Sequence, residues 1–463
     1  MKAFLTGLLD WTDTRFPLTK LWNEHLAKYY APKNFNFWYF FGSLALLVLV
    51  LQIITGIWLT MHYKPSAEHA FASVEYIMRE VPWGWAIRYM HSTGASFFFI
   101  VVYLHMFRGI MYGSYKYPRE LIWILGMMIY AALMAEAFFG YLLPWGQMSF
   151  WGAQVIVSLF GAIPWVGEDL ALWIRGDYVV SDATLNRFFS FHVVAVPLVL
   201  LGLVAAHIMA LHEVGSNNPD GVEIKKNKNA EGIPQDGIPF HPYYTVKDIM
   251  GAVAFLIIFA IVMFFAPGFF GWFLESANFV PADPLTTPEH IVPVWYFTPY
   301  YAILRAIPDK LTGVIAMFVA VLIFFVLPWL DRHPVKSIRY RSTLYTLALA
   351  VFAVTFVILG YLGTQPPTPG KSELGLRLGE LYFLWFLTLW IYSKERSATY
   401  YGRTVVVLLV LMLIGDWLRF DPNKGGLIAL SALLPIGYFL LFYLGPVFRP
   451  GLNASKPVPE RVT

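Results

Sequence analysis

Ten stretches of the chain are apolar over most of the ~20 residues that a helix needs to cross a hydrocarbon layer. They cover residues 38–61, 88–107, 121–143, 188–211, 249–270, 311–330, 343–363, 379–392, 404–418 and 426–447, those at 379 and 404 being shorter than the rest. Polar and aromatic connectors separate them, so the pattern predicts an all-α, polytopic transmembrane protein. The same punctuation divides the chain into an N-terminal segment (1–37), a four-helix bundle (38–212), a polar loop (213–248), further core helices (249–365), C-terminal helices (366–448) and a tail (449–463).

Composition agrees: 58% of residues are hydrophobic, 13% are charged, and the mean hydropathy is +0.58. Residues 1–36 are polar, basic and aromatic with no signal-like apolar core, so the N-terminus is expected to stay cytoplasmic, lying along the surface. With that orientation and ten spans, about two-thirds of the 33 Lys and Arg fall on the cytoplasmic side, as the positive-inside rule requires. The densest cluster is DRHPVKSIRYR at 331–341, and the C-terminus is cytoplasmic too. The pI near 8.9 then reflects topology, and no nucleic-acid partner is implied. The chain has no cysteine, which excludes disulfides, cysteine-held iron–sulfur clusters and covalent c-type haem on this chain.

Histidines inside two spans carry the chemistry. The second span contains HSTGASFFFIVVYLH, with His91 and His105 fourteen residues apart; the fourth holds His192 and His207, fifteen apart. Imidazoles are costly in hydrocarbon and mark functional sites. These two spans run in the same direction, so His91 lies level with His192 and His105 with His207, the levels separated by about 21–22 Å. Fourteen steps keep both side chains of the first pair near one helix face; the odd fifteenth in the fourth span needs a kink or local rewinding, for which Pro197 is placed. On the antiparallel neighbours, Gly42 and Gly56, and Gly126 and Gly140, also lie fourteen apart, so two glycines meet each histidine pair. A lone membrane histidine is more often a hydrogen-bonding or proton-path residue, and one glycine pair is ordinary helix packing. Four matched spacings favour two stacked bis-imidazole haems instead. Zinc would be left with an incomplete shell. Arg88, Arg108 and Arg187, each within a turn or two of a histidine, are candidates for haem propionates, with helix-end interfacial arginines as the alternative.

The segments YLLPWGQMSFWGAQV, TLNRFFSFH, LHEVGSNNP, FHPYYTVKDIMG and HIVPVWYFTPYYAILRAIP resemble cytochrome b, the dihaem subunit of quinol:cytochrome c oxidoreductases (cytochrome bc1, complex III), in its bacterial form, over about residues 30–365. The resemblance implies two noncovalent b-type haems on His91/His192 (outer) and His105/His207 (inner), and a quinone cycle. Quinol would be oxidised near the outer face, one electron leaving to a Rieske iron–sulfur protein and the other crossing both haems to reduce quinone near the inner face. A c-type cytochrome subunit, ubiquinol, lipid and a homodimeric complex in the bacterial cytoplasmic membrane complete the picture.

By the same resemblance the outer quinol pocket is formed by Tyr141, Gly152, Pro293, Trp295 and Tyr296. The commonest family pattern has Glu where this chain has Val294, which cannot accept a proton; Glu289 and His290 are the nearest candidates to substitute. The inner quinone pocket would use His212, Ser216, Lys247 and Asp248. The family core has eight spans, so two of the C-terminal segments are additions; no histidine or acidic pair is expected within their lipid part, which predicts packing or subunit-docking helices. The other histidines, 25, 62, 69, 241 and 333, read as surface residues. Two rivals remain: a dihaem anchor linking quinone to a peripheral dehydrogenase, and a transporter with histidine proton relays.

Overall fold

The computed structural model describes residues 2–394, 396–419, 421–422 and 425–463, without the side chains of Lys2, His25 and Leu26. The expectation for the His25 side chain therefore lies outside what is described. Ten helices among the described residues are long and apolar enough to cross a membrane. In chain order they are α1 (Phe37–Thr60), α2 (Gly84–Tyr112), α3 (Glu120–Leu142), α4 (Asp182–Val214), α5 (Phe240–Phe265), α6 (Lys310–Leu330), α7 (Thr343–Gly363), α8 (Pro369–Tyr392), α9 (Ala398–Leu418) and α10 (Gly425–Phe448).

α1 packs along α2, and α3 along α4, so each glycine helix lies against a histidine helix. Shorter helices fill the connections on the face away from the N-terminal segment: Ala70–Arg79, Gln147–Phe160, Gly167–Arg175 and Thr298–Ala306. The last wedges between α7 and α8, where Gly363 approaches the Thr298 carbonyl too closely for any side chain. On the other face, strand β1 (Tyr30–Pro32) pairs antiparallel with β2 (Gly237–Pro239), tying the N-terminal segment to the 213–248 loop.

α4 departs from regular geometry where the histidine spacing requires it. Residues Phe191–Ala195 form a π-helical turn that includes His192, immediately before Pro197. A π turn absorbs one residue, so fifteen residues span what fourteen do on α2. The missing N–H of Pro197 makes this the least costly place for it.

α8 and α9 are longer than their apolar runs because charge enters the spans in paired form. Thr368 caps α8 by accepting from the Lys371 amide, with Pro369 in the first turn. Two turns into α8, the side chain of Arg377 is fully buried and donates to Glu380 (3.0 Å), Asp416 (2.7 Å) and Ser431 (3.1 Å). Arg419 closes the cluster onto Glu373 (2.5 Å) and Asp416 (2.6 Å). The expectation of no acidic pair inside these helices is thus corrected: Glu373 and Glu380 flank Arg377, and apolar counting stopped at residues that neutralise one another. Of the remaining described histidines, His69 is exposed, while His333 is half-buried, its Nδ1 accepting from the Val335 amide (3.1 Å).

Candidate functional site

The four membrane histidines meet in two pairs. The ring centres of His91 and His192 lie 6.2 Å apart with planes at 88°, and those of His105 and His207 lie 6.4 Å apart at 62°. Metal–imidazole bonds of about 2 Å put two rings on opposite sides of one metal roughly 6 Å apart, so each pair is spaced for one hexacoordinate iron. Among the described residues no cluster of three or more His, Asp and Glu could hold a metal ion on its own, which leaves two protein ligands per level.

Each glycine faces one of these rings. A side-chain carbon on Gly42 would lie 3.3 Å from His105 Cε1, on Gly56 3.2 Å from His91 Cε1, on Gly126 3.3 Å from His207 Cε1, and on Gly140 2.7 Å from His192 Nδ1. The pairing of levels is as the spacing predicted, but the physical reason differs: the glycines clear room for the imidazole edge itself. At Gly42, Gly56 and Gly126 the approaching atoms are Cε1 and Nδ1, so Nε2 faces away from the glycine helix. Nδ1 is held on two of the rings, by Thr55 Oγ1 on His91 (2.9 Å) and by the Glu136 carbonyl on His192 (2.9 Å). Such outer contacts fix ring orientation and leave Nε2 for a metal.

The three arginines separate. Arg108 is half-buried beside His105, its Nη2 3.3 Å from Nδ1 and its guanidinium 4.8 Å from the centre of the Tyr39 ring; its Nε is buried with no partner. An orphaned buried donor is what an anionic propionate would satisfy. Arg88 is half-buried one turn before His91. Arg187 is exposed and donates to the Trp173 carbonyl, its guanidinium lying over Gly176, so it is committed to a surface loop.

Beyond the His91/His192 level the chain builds a polar pocket wall. Tyr141 donates to Glu275 Oε2 (2.9 Å), and Asn278 Nδ2 donates to the Tyr141 hydroxyl (2.9 Å). Asn278 is itself fixed by the Ser149 amide (2.8 Å), against Gly146. Gly152 lies across the Tyr141 ring. Burial pushes the Glu275 carboxyl up to about 7, although its bonds to Tyr141 and Asn278 pull the other way. Trp295 is held by Ser96 (3.1 Å), and Tyr296 stacks on Phe99 at 3.8 Å between ring centres. Val294 is buried, whereas Glu289 is exposed and His290 is turned toward the Thr364 carbonyl (3.3 Å). Sequence reasoning looked beside Val294 for a carboxylate; the structure also sets one, Glu275, nineteen residues earlier, against Tyr141. The signal available was an acidic residue in the otherwise apolar and aromatic run FFGWFLESANF.

At the opposite level, Lys247 and Asp248 line a cavity of about 260 Å³ with Phe35, Asn36, Tyr39 and Tyr244. His212 stacks on Tyr29 (4.7 Å between centres), whose hydroxyl lies 3.1 Å from Ser216 Oγ. Phe240 packs on Tyr29 and also lines the cavity. The four predicted residues thus form two adjoining pairs, with Tyr29 between His212 and the cavity as the residue that the sequence did not single out.

Two family models match the chain: "Cytochrome b/b6/petB" over residues 26–215 and "Cytochrome b(C-terminal)/b6/petD" over residues 281–384. The cytochrome b of Allochromatium vinosum is 62% identical over 402 residues, covering 85% of this chain and 97% of that protein. The cytochrome b of Rhodospirillum rubrum is 51% identical over 381 residues, covering 82% and 91%. In structure, a chain of a hyperthermophilic respiratory complex III matches with a TM-score of 0.77 at 42% identity, covering 83% of this chain and 98% of that one. The family match ends at residue 384, inside α8, so α9 and α10 lie beyond it. On these matches the chain belongs to the cytochrome b family.

Proposed function

We propose that the chain is the cytochrome b subunit of a bacterial respiratory complex that oxidises quinol and passes the electrons to a cytochrome c. His91 and His192 would ligate one b-type haem and His105 and His207 a second, with Arg108 paired to a propionate. When bound, these haems supply a one-electron path between the two levels. The observation that carries the reading is that both imidazole pairs have the span of a single metal and that every ring has its own facing glycine.

The chain's own residues manage the protons and the ring positions. At the His91/His192 end, taken as the outer one, Tyr296, Trp295 and Pro293 wall an apolar slot for a flat quinol ring. Quinol gives up two protons and two electrons. Glu275, poised near neutrality, accepts a hydroxyl proton in the role that Glu289 was expected to fill, and Tyr141 and Asn278 hold its carboxylate toward the pocket. One electron leaves to a Rieske iron–sulfur partner and the other crosses the chain. At the other end Asp248 and Lys247, with His212 behind Tyr29, bind ubiquinone and deliver protons from the cytoplasmic side. A guanidinium can only donate, so its contact with His105 Nδ1 makes that nitrogen an acceptor; a haem held through Nε2 would require Nδ1 to carry the proton, and Arg108 would then pair with a propionate. A c-type cytochrome subunit and a second copy of the complex complete the assembly.

The test is a pair of variants in the purified complex. His192→Leu should remove one b-type spectral component and His207→Leu the other; loss of neither would remove the ligand assignment.

A further inference from the structure

Glu136 is an ionisable residue at the His91/His192 level of α3, one turn before Gly140 and so on the helix face that meets α4. Its Oε1 lies 3.0 Å from His192 Nδ1, the same nitrogen that its backbone carbonyl approaches at 2.9 Å. The other carboxyl oxygen, Oε2, is buried with no partner. A glutamate is among the most expensive residues to hold inside a membrane, and packing or capping does not explain this one, because among the described residues its carboxyl meets no Lys, Arg or backbone N–H that would repay its desolvation. What it does make is a second acceptor contact on a ring already supplied with one. The companion ring has only a neutral hydroxyl in that place, Thr55 Oγ1 on His91.

We propose that Glu136 is a positioning residue that sets the reduction potential of the outer haem by acting through His192. The inference rests on the haem reading of the His91/His192 pair. A carboxyl oxygen on the Nδ1 side of an axial imidazole draws the N–H proton toward itself and makes Nε2 a stronger donor to the metal. A stronger donor stabilises ferric over ferrous iron and lowers the potential. The direction suits the site: an electron entering at the outer level is passed on to the inner one, and a lower outer potential drives it that way. Over the inner pair no carboxylate contacts either ring among the described residues, since His105 meets Arg108 instead.

The experiment is an optical redox titration of the full complex carrying Glu136→Leu, which removes the acceptor, and Glu136→Gln, which keeps an oxygen and the shape. The expected result is an outer-haem midpoint raised in Glu136→Leu by at least a tenfold change in the ferric-to-ferrous ratio, about 59 mV for one electron, and by less in Glu136→Gln. The inner midpoint stays fixed and haem content is retained. A packing defect would not be relieved by the shape-retaining glutamine in step with the retained oxygen, so the graded midpoints of the two variants, with haem content kept in both, separate the two causes. An unchanged outer midpoint in Glu136→Leu overturns the proposal, as does an equal shift of both haems or loss of the outer haem from Glu136→Gln. Failure of the underlying haem reading looks different: His192→Leu would then keep both b-type components.

Discussion

Gly140 and His192 sit so close that a side-chain carbon on the glycine would lie 2.7 Å from the imidazole Nδ1 and nearer still to Cε1. The other three glycine–imidazole pairs leave 3.2–3.3 Å. This gradient predicts unequal outcomes for one substitution. Gly140→Ala must move the His192 ring or shift α3 from α4, whereas Gly42→Ala or Gly126→Ala asks for a few tenths of an ångström, within the ~1–3 kcal/mol range of overpacking. Haem content measured on the purified variants should show loss of most of the outer haem in Gly140→Ala and near-normal binding in the other two. Equal losses at all three positions would show that the glycines serve helix packing generally.

Glu275 gives a pH dependence with a definite sign. Its carboxyl is raised to about 7 by burial, so below that pH it is increasingly protonated and unable to accept a proton. Quinol oxidation should therefore slow as pH falls through 7. Glu275→Gln should lower the rate about 100-fold and flatten that limb of the profile, while Glu289→Gln, at an exposed site, leaves both nearly unchanged. A steady-state rate profile between pH 5.5 and 9, on the order of the range a neutral group spans, distinguishes them.

The buried cluster around Arg377 is a stability element of the C-terminal helices. Arg377→Met leaves Glu373, Glu380 and Asp416 facing one another with only Arg419 to offset them. Breaking a buried pair from one side costs about 3–5 kcal/mol. Thermal unfolding in detergent should therefore begin earlier in the variant, with both haem spectra unaltered at low temperature. Altered haem spectra would mean that the cluster communicates with the bundle.

The C-terminal tail is tied down by a second charged contact. Arg461 donates to Asp236 (2.7 Å) and, chiefly through that bond, holds its carboxyl at about 2. A carboxyl depressed on folding contributes stability that is present above its ordinary value near 4 and is lost as pH falls toward 2. Limited proteolysis should leave the tail protected at neutral pH and expose it on acidification, and Arg461→Ala should expose it at both.

Much of this architecture was legible in the chain because membrane helices obey few rules. Apolar runs gave the spans, and the fourteen-residue histidine and glycine spacings gave the levels at which rings and glycines meet. The fifteenth residue of α4 was legible as a discrepancy, and Pro197 marked where the π turn absorbs it. What escaped were features made by folding rather than by local pattern. Glu275 reaches Tyr141 only because the loop after α5 returns over α3, joining residues 134 positions apart. Glu373, Arg377 and Glu380 shortened the apolar run at the start of α8 because hydropathy counts charges singly and cannot see that they pair. Arg187 looked suited to a propionate by its distance from His192 along the chain, yet the loop at 173–176 claims it.

The central claim is that two imidazole pairs at two depths each hold one iron. An optical redox titration of the purified complex tests it most directly. The account predicts two b-type components in equal amount per chain, the one missing from His192→Leu being retained in His207→Leu. A single component, or equal fading of both in either variant, would contradict it.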